Sequence, residues 1–170
     1  MHVILFRHGP AGHPDPSRWP DDDARPLTPR GEERTRRAAR GLERLLPGVD
    51  LVVSSPLARA RQTAELACEC WPEAARETFE GLRPGGSARA VVAFLAALAP
   101  DTNVVLVGHE PELGKLAGTL VFGAPVALAL RKAGACAIRF AGELKPGTGA
   151  LEWFLPPRAL RRLARRTERV

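Results

Sequence analysis

Short apolar segments alternate with longer amphipathic segments along most of the chain, and this alternation limits the possible folds more than any other feature. Strand-like runs cover residues 2–6, 50–55 and 103–108, and each is followed by a segment with helical periodicity. A continuous apolar run indicates a strand buried on both faces, because a solvated face would carry polar residues at alternate positions. The pattern predicts an α/β fold with a mostly parallel sheet and helices on both faces.

The same periodicity predicts the remaining elements. Helices are expected over residues 29–46, 56–70, 88–99 and 111–121, and weaker strands near 76–79, 135–140 and 150–155. The chain contains no internal repeat and no low-complexity linker, and its 170 residues suit one domain. We therefore expect a domain over residues 1–156, with residues 157–170 forming a basic C-terminal helix that belongs to it.

The net charge is concentrated at one end of the chain. Residues 157–170 contain six arginines and one glutamate, which accounts for +5 of the formal charge of +6. A nucleic-acid binder distributes basic residues along a face with interleaved aromatics, or follows a recognised motif, and neither pattern occurs here. The sequence argues against a nucleic-acid partner and predicts a solvated helix face packed through Leu160 and Leu163. Docking to an acidic protein or to phosphate-rich material is the alternative.

Cysteine usage and hydropathy bear on the compartment. The three cysteines, Cys68, Cys70 and Cys136, lack zinc-site spacing, which favours reduced thiols. No apolar run approaches the length of a membrane span, and the residues after Met1 lack the ordered regions of a signal peptide. We expect a cytoplasmic protein without a membrane partner.

Polar residues follow the predicted strands where a parallel topology would bring them together. The first strand ends at Arg7-His8-Gly9, and the strand over 103–108 is followed by His109. Ligands bind at the carboxyl edge of open parallel sheets, where the helices begin. We therefore expect the two histidines to meet at one edge, beside helix N-termini that suit an anion.

Two further segments add arginines to this edge. Ser55 is the expected N-cap and Pro56 the expected first residue of the second helix, which places Arg59 about one turn into it. The segment RPLTPRG (25–31) repeats the cap-and-proline pattern, with Arg25 just before the helix. The sequence thus predicts two histidines and several arginines at one sheet edge.

Such a set suits phosphoryl transfer. Arginine offers planar, bidentate donors that match phosphate oxygens, and a neutral imidazole nitrogen can attack phosphorus and carry the phosphoryl group. Neighbouring arginines favour the neutral imidazole because they disfavour a further positive charge. The other nitrogen of His8 must keep its proton, and we expect it to donate to a backbone carbonyl at the Gly9 turn. The four histidines show no metal-binding spacing, so the predicted chemistry uses neither metal nor cofactor.

Four motifs occur in a characteristic order: RHG (7–9), RPLTPRG (25–31), SSPLARARQTAE (54–65) and GHEPELG (108–114). With this order and spacing, the chain resembles the histidine phosphatase superfamily, also called phosphoglycerate mutase-like. Within it, the chain is most similar to the small SixA-type phosphohistidine phosphatases. The resemblance covers about residues 2–155.

The resemblance implies a role for each matching residue. His8 would be the phosphorylated nucleophile, Arg7, Arg59 and His109 would form the phosphate pocket, and Arg25 would be an additional phosphate or substrate contact. The implied activity is that of a metal-independent phosphatase acting on phosphohistidine in a protein. Two alternatives remain open: a small-molecule phosphomonoesterase of the same superfamily, and a catalytically poor phosphohistidine-binding module.

The proton donor to the leaving group departs from the family pattern. Many members place a glutamate after the third strand, whereas here Gly81 stands near that position with Glu80 beside it. Glu80 is the predicted donor. Glu110, next to His109, is the second candidate, and helix capping explains it equally well. A phosphoramidate leaves more readily than an alkyl phosphate, so a weak acid apparatus would suit phosphohistidine.

Several other charged residues are expected to lie outside the catalytic chemistry. The acidic run Asp21-Asp22-Asp23 is expected to be solvated, and His13 is expected to be an ordinary loop residue. Arg61 lies two positions from Arg59 and is therefore expected on another face of the helix.

Overall fold

Six strands form one sheet in the computed structural model of the protein, which describes residues 1–165. The strands are β1 (His2–Arg7), β2 (Leu51–Ser54), β3 (Ala75–Thr78), β4 (Asn103–Gly108), β5 (Ala135–Arg139) and β6 (Ala150–Leu155). The helices are α1 (Pro29–Glu43), α2 (Ala58–Cys68), α3 (Ala88–Ala96), α4 (Glu112–Phe122) and α5 (Pro157–Ala164). Short 3₁₀ turns cover Asp22–Ala24 and Glu80–Leu82. Within this part of the chain, no helix is long and apolar enough to cross a membrane.

The sheet has the strand order β3-β2-β4-β1-β5-β6. Strands β1 to β4 pair in parallel, whereas β5 runs antiparallel to both of its neighbours. No helical segment separates β5 from β6, and strands joined without a crossover pair as a hairpin. The prediction of an α/β fold with a mostly parallel sheet and helices on both faces is confirmed.

The apolar strands serve two cores, one on each face of the sheet. Along β1, Val3 and Leu5 belong to the core covered by α3 and α4, while Ile4 and Phe6 belong to the core that includes residues of α1 and α2. All four side chains are at most 2% exposed. Burial on both faces is why the run contains no alternating polar residues. It also leaves the strand ends as the places where polar side chains can gather.

The starts of the helices agree with the sequence at one position and differ at another. Helix α1 begins at Pro29, and the Oγ1 of Thr28 accepts a hydrogen bond from the backbone N–H of Gly31 at 3.0 Å, as predicted. The prediction that Ser55 caps α2 is wrong, because α2 begins at Ala58 and has no side-chain cap. Ser55 is fully buried, and its hydroxyl faces the neighbouring strand end instead.

The C-terminal helix packs against α1. Leu160 is fully buried in the core on that face, while the exposed side of α5 carries arginines. Gly41 of α1 makes the close approach possible, because a Cβ atom there would lie 2.0 Å from the carbonyl oxygen of Leu160. Residues 166–170 of the predicted helix, with Arg166 and Arg169, lie outside the described residues.

Candidate active site

The carboxyl edge of the parallel strands brings together four of the predicted residues. Arg7 and His8 stand at the end of β1, His109 follows β4, and Arg59 is the second residue of α2. The imidazole centroids of His8 and His109 are 4.9 Å apart, and the positive charges of Arg7 and Arg59 lower the pKa of both rings. We call this set, Arg7, His8, Arg59 and His109, the phosphate end of the site.

The His8 imidazole has a defined tautomer. Its Nδ1 lies 2.7 Å from the carbonyl oxygen of Gly9, and because a carbonyl only accepts, Nδ1 carries the proton and Nε2 the lone pair. Burial lowers the pKa of His8 to about 3, with further lowering by His109, Arg59 and Arg7; the Gly9 carbonyl opposes this shift. The ring is therefore neutral at physiological pH, with a free nucleophilic nitrogen.

Gly9 is required by packing as well as by the turn. A Cβ atom at this position would lie 1.9 Å from the Oγ1 of Thr35. The backbone N–H of Gly9 donates to the Oγ1 of Thr63 at 3.0 Å. The turn after β1 is thus held against α1 and α2, which fixes the carbonyl that orients His8.

His109 is buried to a similar extent. Its Nε2 lies 2.9 Å from the Oγ of Ser55, so the residue that fails to cap α2 holds this ring. Burial and the charges of Arg59 and Arg7 lower the pKa of His109 to about 4, while Asp23 and Asp22 act in the opposite direction. His109 is therefore neutral at physiological pH and presents a polar ring edge rather than a fixed cation.

The two arginines of the phosphate end keep donors unused. Arg7 donates through Nη1 to the carbonyl oxygen of Leu130 at 2.7 Å, and Arg59 donates through Nη1 to the carbonyl oxygen of Asp22 at 2.8 Å. The Nε atoms of both arginines are buried, and neither has a hydrogen-bond partner in the described part of the chain. An unsatisfied buried donor costs free energy, so an oxyanion that accepts from both would be stabilised.

Arg25 reaches the same edge, and three of its five N–H donors already bond protein acceptors. Its Nε donates to Asp22 Oδ1 at 2.7 Å, and its Nη1 donates to the carbonyl oxygen of Gly12 at 2.5 Å. Asp22 also forms an ion pair with Arg59, at 3.1 Å from Nη2. Arg25 is therefore connected to the phosphate end through Asp22, whose carboxylate pairs with both Arg25 and Arg59.

The acidic run is solvent-exposed as predicted, with the Asp22 and Asp23 side chains 50% and 39% exposed, but these two residues also pair with arginines. Asp22 bridges two arginines, and Asp23 forms an ion pair with Arg83. The sequence signal for this arrangement was present, since Asp22 precedes the predicted phosphate ligand Arg25 by three residues, a spacing that allows contact within one turn.

The two carboxylates considered as proton donors occupy different surroundings. Glu80 lies in the second 3₁₀ turn, where its side chain is 75% exposed and stands 3.6 Å from Arg83 Nη1. Glu110 accepts through Oε1 from the backbone N–H of Leu130 at 2.9 Å and also interacts with the N–H of Gly114. Burial raises the pKa of Glu110. Leu130 thus links Glu110 to Arg7, which bonds its carbonyl oxygen.

A third carboxylate near the site was missed by the sequence reasoning. Glu112, the first residue of α4, accepts through Oε1 from the backbone N–H of Gly85 at 3.0 Å. It lines a cavity of 220 Å³ that also reaches His109. The motif GHEPELG contains this second glutamate, and a helix start beside a strand end was the available signal. In residues 1–165, no group of three or more His, Cys, Asp and Glu side chains is arranged to hold a metal ion.

Comparison with known proteins identifies the family. The sequence model of the histidine phosphatase superfamily (branch 1) matches residues 3–84. Phosphohistidine phosphatase SixA of Escherichia coli is 34% identical over 127 residues, which cover 72% of this chain and 76% of that protein. The chain belongs to the histidine phosphatase superfamily.

Other similarities place the chain within this superfamily. An uncharacterized protein of Picosynechococcus is 42% identical over 144 residues, covering 82% of this chain and 85% of that protein. The structure of the protein histidine phosphatase SixA complexed with tungstate matches with a TM-score of 0.80 and 27% identity, covering 94% of this chain and 99% of that one. The expected resemblance is confirmed, and the chain is a SixA-like histidine phosphatase, a hydrolase of phosphoryl groups.

Proposed function

We propose that this phosphatase removes phosphoryl groups from phosphohistidine in proteins by way of a phosphorylated His8. The observation that carries the proposal is the neutral His8 ring, fixed through Nδ1, beside two arginines whose Nε–H groups have no hydrogen-bond partner within residues 1–165. The similarity to SixA, which is named as a phosphohistidine phosphatase, supports the choice of substrate.

The proposed reaction has two displacements. Phosphate oxygens accept hydrogen bonds from Arg7 and Arg59 and contact His109, while His8 Nε2 attacks phosphorus. The bond from phosphorus to the leaving nitrogen breaks, and its electron pair stays on that nitrogen. The positive charge that forms on His8 is stabilised by the Nδ1–H donor to Gly9. Water then attacks phospho-His8 and releases inorganic phosphate.

The shape of the neighbouring cavity supports a substrate carried on a chain. One wall is formed by Gly81, Gly85 and Gly86, which present backbone rather than side chains. A Cβ atom at Gly85 would meet open space, so the glycine leaves room there for the polypeptide that carries a phosphohistidine. This is the feature that favours a protein over a free phosphate ester.

Two roles stay predictions within this scheme. Arg25 is proposed as an additional phosphate or substrate contact, beside the Asp22 carboxylate that it already bonds. Glu80 is proposed as the proton donor for ester substrates, whose alkoxide leaving groups need protonation more than an imidazole does.

A substrate panel tests the proposal. Turnover of a phosphohistidine peptide, an aryl phosphate and a set of alkyl phosphates is compared by kcat/KM. We expect the phosphohistidine peptide to exceed the alkyl phosphates by at least about 10²-fold, a difference of about 2.7 kcal/mol in transition-state stabilisation. A preference for a sugar or nucleotide phosphate would establish a small-molecule phosphomonoesterase. Binding of the peptide without turnover of any substrate would establish a recognition module.

A further inference from the structure

A cavity adjoins the phosphate end on the side of His109. Its volume is 220 Å³, and it lies between the second 3₁₀ turn, the glycines that follow it, the start of α3 and the first turns of α4. The side chains that make its walls are mainly apolar: Leu82, Ala88, Val91, Leu113 and Leu116. A group attached to a phosphate bound at His109 would extend into this space.

Glu112 brings a fixed carboxylate to this cavity. The hydrogen bond from Gly85 N–H to Oε1, at 3.0 Å, holds the group in one orientation. The second oxygen, Oε2, is buried and has no hydrogen-bond partner in the described part of the chain. A buried carboxylate oxygen without a donor is costly, so a ligand that brings an N–H or O–H group to Oε2 would be stabilised there.

The other ionisable groups around the cavity leave this oxygen available. Lys115 and His109 are the remaining ionisable residues of the lining, and neither pairs with Glu112 in residues 1–165. Lys115 is exposed, and His109 bonds Ser55. Glu110, on the preceding turn, is engaged by the backbone of Leu130.

Apolar walls with one carboxylate acceptor suit a flat ring that carries an N–H donor. A sugar would leave several hydroxyl groups against apolar side chains without partners, and an anionic group would be repelled by the carboxylate. An imidazole satisfies both conditions, because one nitrogen bears the phosphoryl group and the other bears a proton.

Resting on the proposed function, we infer that this cavity receives the imidazole of the substrate phosphohistidine, and that Glu112 Oε2 accepts a hydrogen bond from the ring nitrogen that is not phosphorylated. Glu112 then favours the imidazolium form of the substrate ring. When His8 Nε2 bonds to phosphorus, the electron pair of the breaking bond neutralises that ring. The product leaves as neutral imidazole with its N–H still directed at Glu112, and no separate proton donor is needed.

The contact predicts a selective effect of replacing the carboxylate. Glu112→Gln keeps the shape of the side chain but weakens or removes the charged acceptor. We expect the ratio of kcat/KM for a phosphohistidine peptide to that for an aryl phosphate to fall about 10- to 100-fold, as for loss of a charge-assisted hydrogen bond. The deficit should shrink as pH is lowered, because solvent then protonates the substrate ring. In Glu33→Gln, the same substitution on the exposed face of α1, the ratio should change by less than about threefold.

The outcomes separate this inference from the proposed function. An equal loss on both substrates, or no change in their ratio, would overturn the role of Glu112. If the wild-type enzyme hydrolyses the aryl phosphate but not the phosphohistidine peptide, the proposed function fails. The cavity is then tested with 4-methylimidazole as an inhibitor of aryl phosphate turnover. Inhibition that Glu112→Gln weakens supports the imidazole site, and absence of inhibition overturns it.

Discussion

The phosphate end of the site and the three nearby glutamates are positioned by different parts of the fold. Each member of the phosphate end stands at the end of a parallel strand or in the first turn of the helix that follows. The glutamates Glu80, Glu110 and Glu112 lie in connections or at a helix start, and their surroundings range from exposed to buried. The sheet edge thus holds the proposed phosphate ligands, whereas the carboxylates proposed to act on the leaving group lie in the segments that join strands to helices.

Removing the nucleophile is the strongest test of this division. If the phosphate end carries the chemistry, His8→Ala should reduce kcat by at least about 10³-fold on every substrate, whatever its leaving group. We expect rapid quenching of the wild-type enzyme to trap an acid-labile, alkali-stable phosphoenzyme, which should be absent in His8→Ala. His13→Ala, in an exposed loop, is the matched control. Near wild-type turnover in His8→Ala would refute the assignment of the nucleophile.

Replacing an arginine of the phosphate end should give the next largest loss of activity. Arg59→Lys removes the buried Nε–H donor and the planar fork, and a single ammonium cannot replace both, so we expect kcat/KM to fall about 10²-fold. Arg61→Lys, on the exposed face of the same helix, should change it less than about twofold. Steady-state kinetics with the aryl phosphate measures both. The reverse ranking would show that Arg61, and not Arg59, contacts phosphate.

Burial of two neutral histidines should also make the free energy of unfolding depend on pH. The pKa values of His8 and His109 in the folded protein, about 3 and about 4, lie below the ordinary value of 6.5. Between these values and 6.5 the unfolded chain binds protons that the folded protein does not, so stability falls as pH drops below 6.5. In this window each histidine should lower the free energy of unfolding by about 1.4 kcal/mol for each unit by which the pH falls. Urea denaturation from pH 7 to 5 measures the slope.

A variant isolates the contribution of one ring to that slope. His8→Ala should lose about half of the histidine-dependent decrease, because only His109 then remains to be protonated on unfolding. Carboxylates contribute little above pH 5, apart from Glu110, whose raised pKa acts in the opposite direction. An identical slope in the wild type and in His8→Ala would mean that His8 titrates normally in the folded protein.

The glutamates should give smaller effects that depend on the leaving group. If Glu80 donates the proton, Glu80→Gln should slow alkyl phosphates about tenfold, aryl phosphates less and phosphohistidine least, at the low end of general acid catalysis because the side chain is exposed. Glu110→Gln should instead reduce all three rates alike, since Glu110 acts through Leu130 on Arg7. A graded loss in Glu110→Gln, with none in Glu80→Gln, would transfer the role of proton donor to Glu110.

The same division explains what the sequence could predict. Strand ends are visible as the points where apolar runs stop, so the approach of Arg7, His8 and His109 follows from parallel topology. The cap at Thr28 is also a local feature, and it was predicted correctly. Ser55 has the same local signature, but its hydroxyl is used by His109, a residue 54 positions away. Local patterns do not report such distant partners.

Pairings across connections were the part that the sequence left undetermined. The exposure of the acidic run follows from its sequence, but its ion pairs do not, because the partners Arg59 and Arg83 lie on other elements. Glu112 reads as one more charge at a helix start, since neither the Gly85 contact nor the cavity can be deduced from spacing. Both cases depend on how the connections fold over the sheet edge, which hydrophobic periodicity does not describe.

Asp22 lies outside the sheet edge but pairs with Arg59 of the phosphate end, and it provides the smallest predicted effect. Its carboxylate lies 2.7 Å from Arg25 Nε and 3.1 Å from Arg59 Nη2, where it neutralises cations that phosphate would otherwise bind. Asp22→Asn removes this competing charge, so inorganic phosphate should inhibit more strongly. Because the Asp22 side chain is 50% exposed, solvent screens the pair, and the inhibition constant should fall only about two- to fivefold. The difference should shrink as salt is raised.

Asp21→Asn is the matched control, because the exposed Asp21 carboxylate accepts from the nearby backbone N–H of Asp23. The substitution should leave phosphate inhibition within about twofold of wild type. The opposite result for Asp22→Asn, weaker inhibition by phosphate, would mean that Asp22 holds Arg59 in its binding orientation. Asp22 would then act as a positioning residue of the phosphate end. The phosphate end would in that case also depend on a carboxylate that lies outside the sheet edge. Stronger inhibition would instead identify Asp22 as an internal competitor for phosphate. In that case Asp22, which lies outside the sheet edge, lowers the affinity of Arg59 for phosphate.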